Sequence, residues 1–343
     1  ATAAGLPSKN VAWRSAAADA DIDRAFAQAR QEKKPVLLYW GATWCPPCNQ
    51  LKATLFNRQD FATQARSFVA VHVDGDRPAA QKLSRRFNVS GYPTLVVFNT
   101  AGQELTRLPG EVDAEQVLAL MQLGLAGGRP VKAVLADARA GKPLAADEWR
   151  LLAYYSWETD DGQLVPRAEV AATLATLAAA SSAADAETTT RLWLKALAAS
   201  DDGKGVKPDD ALRERVMKVV NDPAQARAHM DVVAGSAADL VRVLAGDAAP
   251  ETSSLVAPFD AALRRLAADA TLSRGDRISA LISRIDLARL GTTKEDVAPK
   301  LPEALLKDVR DHVARDDREI TDGYERMAVI PSGGYALAHA GLW

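Results

Sequence analysis

The sequence contains two cysteines, and the spacing Cys45-x-x-Cys48 makes them one local unit. Two cysteines in 343 residues cannot form a disulfide framework, so the sulfur chemistry of this chain begins at this pair. Three interpretations of a C-x-x-C pair are open: half of a zinc site, a redox pair, or a chance occurrence in the sequence. A structural zinc site needs about four ligands. No second cysteine pair exists, and three of the four histidines, His229, His312 and His339, lie far along the chain, so we favour redox chemistry and expect no metal.

The elements predicted around the pair support that preference. Val36 to Trp40 is a continuous run of β-prone apolar residues, typical of a strand covered on both faces, and a helix is predicted from about Pro47. The Cys45 sulfur is then expected at a helix N-terminus, where unpaired N–H groups and the helix dipole favour an anion. That position lowers the pKa of a thiol, and the thiolate attacks disulfides. We expect Cys45 to attack and Cys48, one turn later and more buried, to resolve; an inert pair is the alternative.

Secondary-structure signals divide the chain into two parts. The first reads as an α/β layer fold, a mixed central sheet flanked by helices, that closes near residue 125. Its predicted strands are 36–40, 68–73, 94–98 and 104–108, and its predicted helices are 21–34, 47–56, 61–66, 78–87 and 113–123. The predicted domains are therefore 1–125, a Gly/Pro linker at 126–130, and 131–343. Residues 1–126 exceed the size at which such a domain folds alone.

The second part reads as an all-α domain. Amphipathic Ala-, Leu- and Arg-rich segments follow one another without a convincing strand, which favours stacked helical hairpins. No fixed repeat period is found, so a tetratricopeptide array is a weaker alternative. One predicted helix, 146–157, carries an aromatic cluster for which core or interdomain packing is favoured over a peptide groove, and the last predicted helix is 318–328.

Composition and the start of the chain bear on partners and location. The 42 Lys and Arg against 44 Asp and Glu leave a net charge of −2, which removes the basic attraction of most nucleic-acid binders. The most apolar long stretch, Ala168 to Ala180, is interrupted by polar residues and falls short of a membrane span. The chain opens with small residues from Ala1 to Pro7, as left by a signal peptidase, so we expect an exported, periplasmic protein. A chain shortened by design begins in the same way, and a cytoplasmic location is the alternative.

Two motifs at a characteristic distance carry a resemblance to a known family. The motif W-C-P-P-C at residues 44–48, after the run 36–42, resembles the active site of the thioredoxin superfamily. The motif G-Y-P-T at residues 91–94 resembles that family's cis-proline loop. The resemblance implies an α/β thioredoxin fold in which Pro93 is cis and packs against the cysteines, while the backbone of Tyr92 binds an extended substrate segment.

Flanking residues refine the resemblance and show one departure from it. The segments 34–38, 54–56 and 73–87 resemble the C-terminal periplasmic domain of the membrane reductase DsbD and related exported proteins. The family usually places a buried acid, which accepts the resolving thiol's proton, where this chain has Tyr39. A phenol with a pKa near ~10 is a poor base at neutral pH. The family's basic partner on the next core strand also looks absent, because Val69-Ala70-Val71 occupies that stretch.

These residues together predict a thiol–disulfide oxidoreductase acting on protein disulfides. Pro46 and Pro47 remove N–H donors near the thiolate, which favours a reductase or exchanger over a strong oxidant. Trp44 is expected to shield the disulfide and form part of the docking surface. No dissociable cofactor is needed, but turnover requires a redox partner protein, for which a membrane reductase of the DsbD type is the candidate. The all-α domain is expected to position a partner; the rival hypothesis is a scaffold protein in which that domain captures clients.

Overall fold

The computed structural model describes residues 7–109, 114–181, 185–200, 205–246, 248–292 and 300–342. The chain divides into two compact units. Unit 1 comprises Ala1–Arg167, Ala183–Asp185 and Asp322–Ala328, and unit 2 comprises Ala168–Ser182, Ala186–Thr321 and Val329–Trp343. In the part of the chain that the structure describes, no helix combines the length and the apolar character needed to cross a bilayer.

Unit 1 is built on a five-stranded sheet with the order β1-β3-β2-β4-β5. Its strands are β1 (Arg14–Ala16), β2 (Val36–Gly41), β3 (Val69–Asp74), β4 (Thr94–Phe98) and β5 (Glu104–Pro109). Its helices are α1 (Asp19–Glu32), α2 (Pro46–Ala53), α3 (Gln59–Ala65), α4 (Ala80–Arg86), α5 (Ala114–Leu125), α6 (Val131–Arg139) and α7 (Ala146–Tyr154). The strand β3 is parallel to β1 and β2, whereas β4 is antiparallel to both β2 and β5, so the sheet is mixed as predicted.

The central strand β2 is buried on both faces, which explains its unbroken apolar sequence. Leu38 and Trp40 point to one face and pack in a core that includes Phe26 of α1 and Leu83 of α4. Tyr39 points to the other face and packs edge-on against Phe56. Helices therefore cover both faces of the sheet, as the continuous apolar run predicts.

Unit 1 continues past the predicted linker at residues 126–130. That segment connects α5 to α6, but both α6 and α7 pack against β5. The buried Arg107 of β5 fixes the chain after α7, because its carbonyl accepts from Ser156 N at 2.8 Å and its Nη1 donates to Thr159 O at 2.7 Å. The first continuous segment of unit 1 therefore extends to Arg167, past the boundary that the sequence pattern indicates.

Unit 2 is helical, and no strand occurs among the described residues from 114 to 342. Its helices are α8 (Val170–Ala180), α9 (Ala186–Ala198), α10 (Asp210–Asn221), α11 (Pro223–Ala228), α12 (Met230–Gly235), α13 (Ala237–Ala245), α14 (Val256–Ala268), α15 (Arg274–Ala288) and α16 (Glu303–Glu319). A last helix, α17 (Gly323–His339), begins in unit 1 and ends in unit 2. The pairs α8/α9 and α14/α15 pack as hairpins, in agreement with the predicted helical class.

Two helix predictions after residue 131 need correction. The helix predicted over 318–328 is divided between α16 and α17, and α17 continues through Pro331 although proline and the glycines after it are helix-breaking signals. The helix predicted over 146–157 ends at Tyr154. Tyr155 and Trp157 lie beyond it and are buried, so the aromatic residues here belong to a core, as favoured.

Candidate active site

The register of the sheet brings the cysteine pair and Pro93 to one edge. Trp40 near the end of β2 pairs with Thr94 at the start of the antiparallel strand β4. The chain that leaves β2 toward Cys45 and the chain that enters β4 from Pro93 therefore meet at the same edge. Tyr92 packs against the cluster that contains both cysteines. The Tyr92–Pro93 peptide bond is cis, as the resemblance implies.

Cys45 and Cys48 form a disulfide, and Cys45 caps helix α2. Pro46 and Pro47 occupy the first two helical positions and carry no N–H, so Cys48 supplies the first available donor. Its N–H donates to Cys45 Sγ at 3.2 Å. Cys45 is 3% exposed and Cys48 is 0% exposed. Both cysteines are thus buried, Cys45 slightly less than Cys48, and the Cys45 sulfur receives one helix N–H where an ordinary helix start offers more.

An aromatic and an acidic residue form the rim of the site. Trp44 is 69% exposed, and its ring lies edge-on to Tyr92 with 6.4 Å between centroids. Asp76 fixes the loop before Cys45, because its Oδ2 accepts from Thr43 N at 2.9 Å and from Thr43 Oγ1 at 2.6 Å. Burial opposes the charged form of Asp76, but these hydrogen bonds hold its pKa below the usual range. The exposed indole thus lies beside a loop that is held by hydrogen bonds to Asp76.

Gly75 allows the loop after β3 to lie directly against the Tyr92 ring. A Cβ at residue 75 would stand 2.8 Å from Cε2 and Cζ of Tyr92, closer than such atoms approach in proteins. Gly75 N also donates to Gly41 O at 2.8 Å, which ties this loop to the end of β2. A side chain at position 75 would therefore displace the ring that borders the cysteines.

Beneath α2 lies a group of mostly buried titratable side chains, which we call the inner cluster (Tyr39, Lys52, His72 and Tyr324). Tyr39 pairs with His72 across β2 and β3, and their rings stack at 5.3 Å. Lys52 Nζ lies 5.4 Å from the centroid of the Tyr324 ring. The sheet register places His72, and not residues 69–71, opposite Tyr39 on the strand next to β2.

Burial controls the protonation of Tyr39 and His72. Burial raises the pKa of Tyr39 above its ordinary value, with a smaller contribution from Tyr324, and the buried hydroxyl has no hydrogen-bond partner among the described residues. Burial lowers the pKa of His72 to about 4, so its imidazole is neutral at neutral pH. Neither group takes up a proton readily, which agrees with the expectation that Tyr39 is a poor base.

Sequence reasoning missed Asp76, His72 and Lys52 as members of the site. Lys52 could have been predicted from the sequence, because a residue four positions after Cys48 lies on the same face of the helix. Asp76 and His72 carried no comparable signal, because their places depend on loop conformation and strand register. Among the described residues, no group of three or more His, Cys, Asp and Glu side chains lies close enough together to hold a metal ion.

Known proteins resemble the first part of this chain. Residues 22–124 match the family model of the thioredoxin-like domain. The thiol:disulfide interchange protein DsbD 1 of Pseudomonas aeruginosa is 35% identical over 117 residues, which are 32% of this chain and 20% of that protein. DsbD of Klebsiella pneumoniae is 30% identical over 109 residues, which are 31% of this chain and 18% of that protein. The chain thus spans about a fifth of the length of these curated relatives.

A solved structure also matches the same part. The solution structure of a thioredoxin from Thermus thermophilus is 26% identical, has a TM-score of 0.31, and covers 35% of this chain and 90% of that one. The match of the family model to residues 22–124, together with the mixed sheet flanked by helices, confirms the thioredoxin fold predicted for the first part of the chain.

Proposed function

We propose that this protein is a thiol–disulfide oxidoreductase that reduces or exchanges protein disulfides through Cys45 and Cys48. The observation that carries the proposal is the placement of a cysteine pair at the start of α2, with the sulfur of Cys45 facing the Cys48 N–H and the Tyr92–Pro93 loop packed beside it. A helix N-terminus lowers the pKa of a thiol, and the more accessible of two such sulfurs is the nucleophile. The similarity to DsbD interchange proteins supports the same chemistry.

In the proposed reaction the reduced pair gives two electrons to a substrate disulfide. The Cys45 thiolate attacks one substrate sulfur, a Cys45–substrate bond forms, and the other substrate sulfur leaves as a thiolate that takes a proton from water. Cys48 then loses its proton and attacks Cys45 Sγ. The Cys45–Cys48 bond forms, and the first substrate sulfur leaves with the electron pair. The oxidised pair is reduced again by a redox partner protein, and no dissociable cofactor takes part.

Trp44, Tyr92 and Pro93 are proposed to receive the substrate. The exposed indole of Trp44 offers an apolar docking surface, and the backbone of Tyr92 beside Pro93 offers hydrogen bonds to an extended segment. The prolines of the motif favour one direction of electron flow. Because only one early N–H of α2 reaches the Cys45 sulfur, the thiolate is less stabilised than at an open helix start, which favours a reductase or exchanger.

Unit 2 is proposed to position a partner. Both cysteines of the sequence lie in unit 1, so unit 2 contributes to the reaction through binding rather than through sulfur chemistry. We further propose that the protein works in the periplasm or another exported compartment and is reduced there by a membrane reductase of the DsbD type. Cell fractionation with a cytoplasmic marker tests the location.

One experiment separates an enzyme from a scaffold. We expect the full chain to reduce a small disulfide and a cysteine-containing protein at the expense of a thiol reductant, and the Cys45→Ser variant to do neither. Binding of the protein client by both forms with equal affinity, together with no turnover by the wild-type chain, would favour the scaffold hypothesis. A measured reduction potential of the pair then fixes the direction of electron flow.

A further inference from the structure

Lys52 is a buried lysine on the helix that carries Cys48. It lies four residues after Cys48, so the two side chains share one face of α2, with about 5–6 Å between Cβ atoms. Cys48 is 0% exposed and Lys52 is 4% exposed, so that shared face is turned into unit 1. Lysine is almost never fully buried without a partner. We therefore looked for a chemical role for this buried amine on the helix face that carries Cys48.

The two direct contacts of Lys52 are neutral groups that favour a cation. Its Nζ donates to Asn49 Oδ1 at 3.3 Å and lies 5.4 Å from the centroid of the Tyr324 ring. An amide oxygen and the face of an aromatic ring both favour an ammonium group, and neither carries a negative charge. The positive charge therefore has no negative partner among these two direct contacts.

Lys52 is the member of the inner cluster that carries charge at neutral pH. Burial lowers the pKa of Lys52, but Asp76 and Asp74 act in the opposite direction and favour the ammonium form. Burial holds His72 neutral with a pKa of about 4 and raises the pKa of Tyr39, so neither adds a charge. The groups that face Lys52 from β2, β3, the loop after β3 and α17 therefore leave it as the single cation beside Cys48 among the described residues of this cluster.

We propose that the Lys52 ammonium stabilises the Cys48 thiolate during resolution and so replaces, by electrostatic attraction, the buried carboxylate that the sequence lacks at position 39. The inference rests on the proposed function and deepens it. Lys52 is a positioning residue here, because it acts on Cys48 and does not touch the substrate. A positive charge on the buried helix face that carries a thiol favours the ionised form of that thiol, and the low dielectric of the interior strengthens the effect.

The step balances without a protein base. The Cys48 thiol gives its proton to water, and the thiolate forms beside the ammonium group. The thiolate attacks Cys45 Sγ in the mixed disulfide, the Cys45–Cys48 bond forms and the Cys45–substrate bond breaks. The substrate sulfur leaves with the electron pair and takes a proton from water. Lys52 keeps its own protons throughout.

The test measures the ionisation of Cys48 directly. Cys45→Ser leaves Cys48 as the sole cysteine, and the ultraviolet absorbance of its thiolate is followed against pH. Adding Lys52→Met should raise the pKa of Cys48 by about one unit, which is about tenfold less thiolate at a given pH. Lys52→Arg should restore most of the loss. Lys82→Met removes an equal charge from an exposed position on α4 and should change nothing.

A kinetic arm uses both native cysteines. Resolution of a preformed Cys45 mixed disulfide should slow about tenfold in Lys52→Met at neutral pH and approach the wild-type rate at high pH, where Cys48 ionises unaided. Lys52→Gln, which keeps a donor toward Asn49, serves if the Met variant does not fold. An unchanged Cys48 pKa and an unchanged pH profile in a folded variant would overturn the proposal for Lys52. A wild-type chain that neither forms nor resolves a mixed disulfide would instead overturn the proposed function.

Discussion

The ring of Tyr39 occupies the space that a side chain at Gly41 would need. Both residues point to the same face of β2, and a Cβ built on Gly41 would lie 2.5 Å from Tyr39 Cζ. The absence of a side chain at position 41 is therefore the condition for Tyr39 to lie along the strand and stack on His72. Tyr39 and Gly41 are consequently one structural unit just before the cysteine motif.

Gly41→Ala should destabilise unit 1 by about 2 kcal/mol or more, because the methyl group forces the buried Tyr39 ring out of its position. The same change in a Tyr39→Val background should cost much less, since the ring is gone, and the difference is the coupling energy of the pair. Urea unfolding of the four proteins measures it. Gly235→Ala is the matched control, because nothing lies within 4 Å of its Cβ position. Equal costs in both backgrounds would show that the ring is not the obstacle.

The sequence alone predicted the features that depend on neighbouring residues, such as strand β2 and the start of helix α2. The apolar run of β2 and the start of a helix at the cysteine motif placed Cys45 at a helix N-terminus, and the structure agrees. Strand β1 was missed because three residues, Arg14–Ala16, carry no periodic signal and form a strand only by pairing with β3. The stacking of His72 on Tyr39 depends on strand register, which no short motif encodes. The remaining errors thus concern residues whose positions are set by distant parts of the chain.

The two cysteines should behave differently when each is replaced. Cys45→Ser should abolish disulfide exchange, whereas Cys48→Ser should still attack and should accumulate a mixed disulfide through Cys45, because Cys45 is the more accessible sulfur at the helix start. Mass spectrometry of the trapped adduct measures this outcome. Alkylation of the reduced protein provides the check: Cys45 should react first, and equal rates for both thiols would contradict the assigned roles.

Tyr39→Asp should quicken resolution of the mixed disulfide at neutral pH and lower the stability of unit 1. A carboxylate at this position supplies a proton acceptor beneath α2, but burial raises its pKa and penalises its charge. Stopped-flow measurement of the resolving step and urea unfolding test the two effects. Tyr39→Phe is the control, because it removes only a buried hydroxyl without a hydrogen-bond partner in the described structure and should leave resolution unchanged. A resolving rate that is equal in all three proteins across the pH range would show that proton removal does not limit this step.

His72 should make the protein less stable in mild acid. Burial lowers its pKa to about 4 in the folded chain, whereas an unfolded histidine has a pKa of about 6.5. Below the pKa of the unfolded histidine, the unfolded chain binds a proton that the folded chain does not yet bind. The free energy of unfolding is therefore greatest above about pH 6.5 and falls as the pH drops toward about 4. The expected loss is at most ~3.4 kcal/mol.

His72→Phe keeps the ring stacked on Tyr39 and should flatten this acid limb in urea unfolding measured as a function of pH. His229 in unit 2 has a pKa that burial likewise lowers to about 4, so His229→Leu should remove a separate share of the acid sensitivity. An acid limb of unchanged slope in His72→Phe would show that the imidazole is protonated without cost in the folded state.

The position at which the chain is cut should decide whether the thioredoxin-like part folds well alone. A fragment ending at residue 126 removes Thr159, the acceptor of a 2.7 Å hydrogen bond from the buried Arg107, and Gln163, which donates to Glu104 at 2.8 Å. Arg107 and Glu104 form a buried ion pair, with Nε and Oε1 3.0 Å apart. Loss of the groups that hydrogen-bond to such a pair is destabilising, because the remaining charges stay desolvated. Residues 1–167 should therefore unfold cooperatively and reduce a small disulfide, while residues 1–126 should unfold at lower urea. Circular dichroism and turnover of a small disulfide compare the two fragments. Equal unfolding midpoints would place the end of the folding unit before α6, at the glycine-rich segment that the sequence pattern indicates.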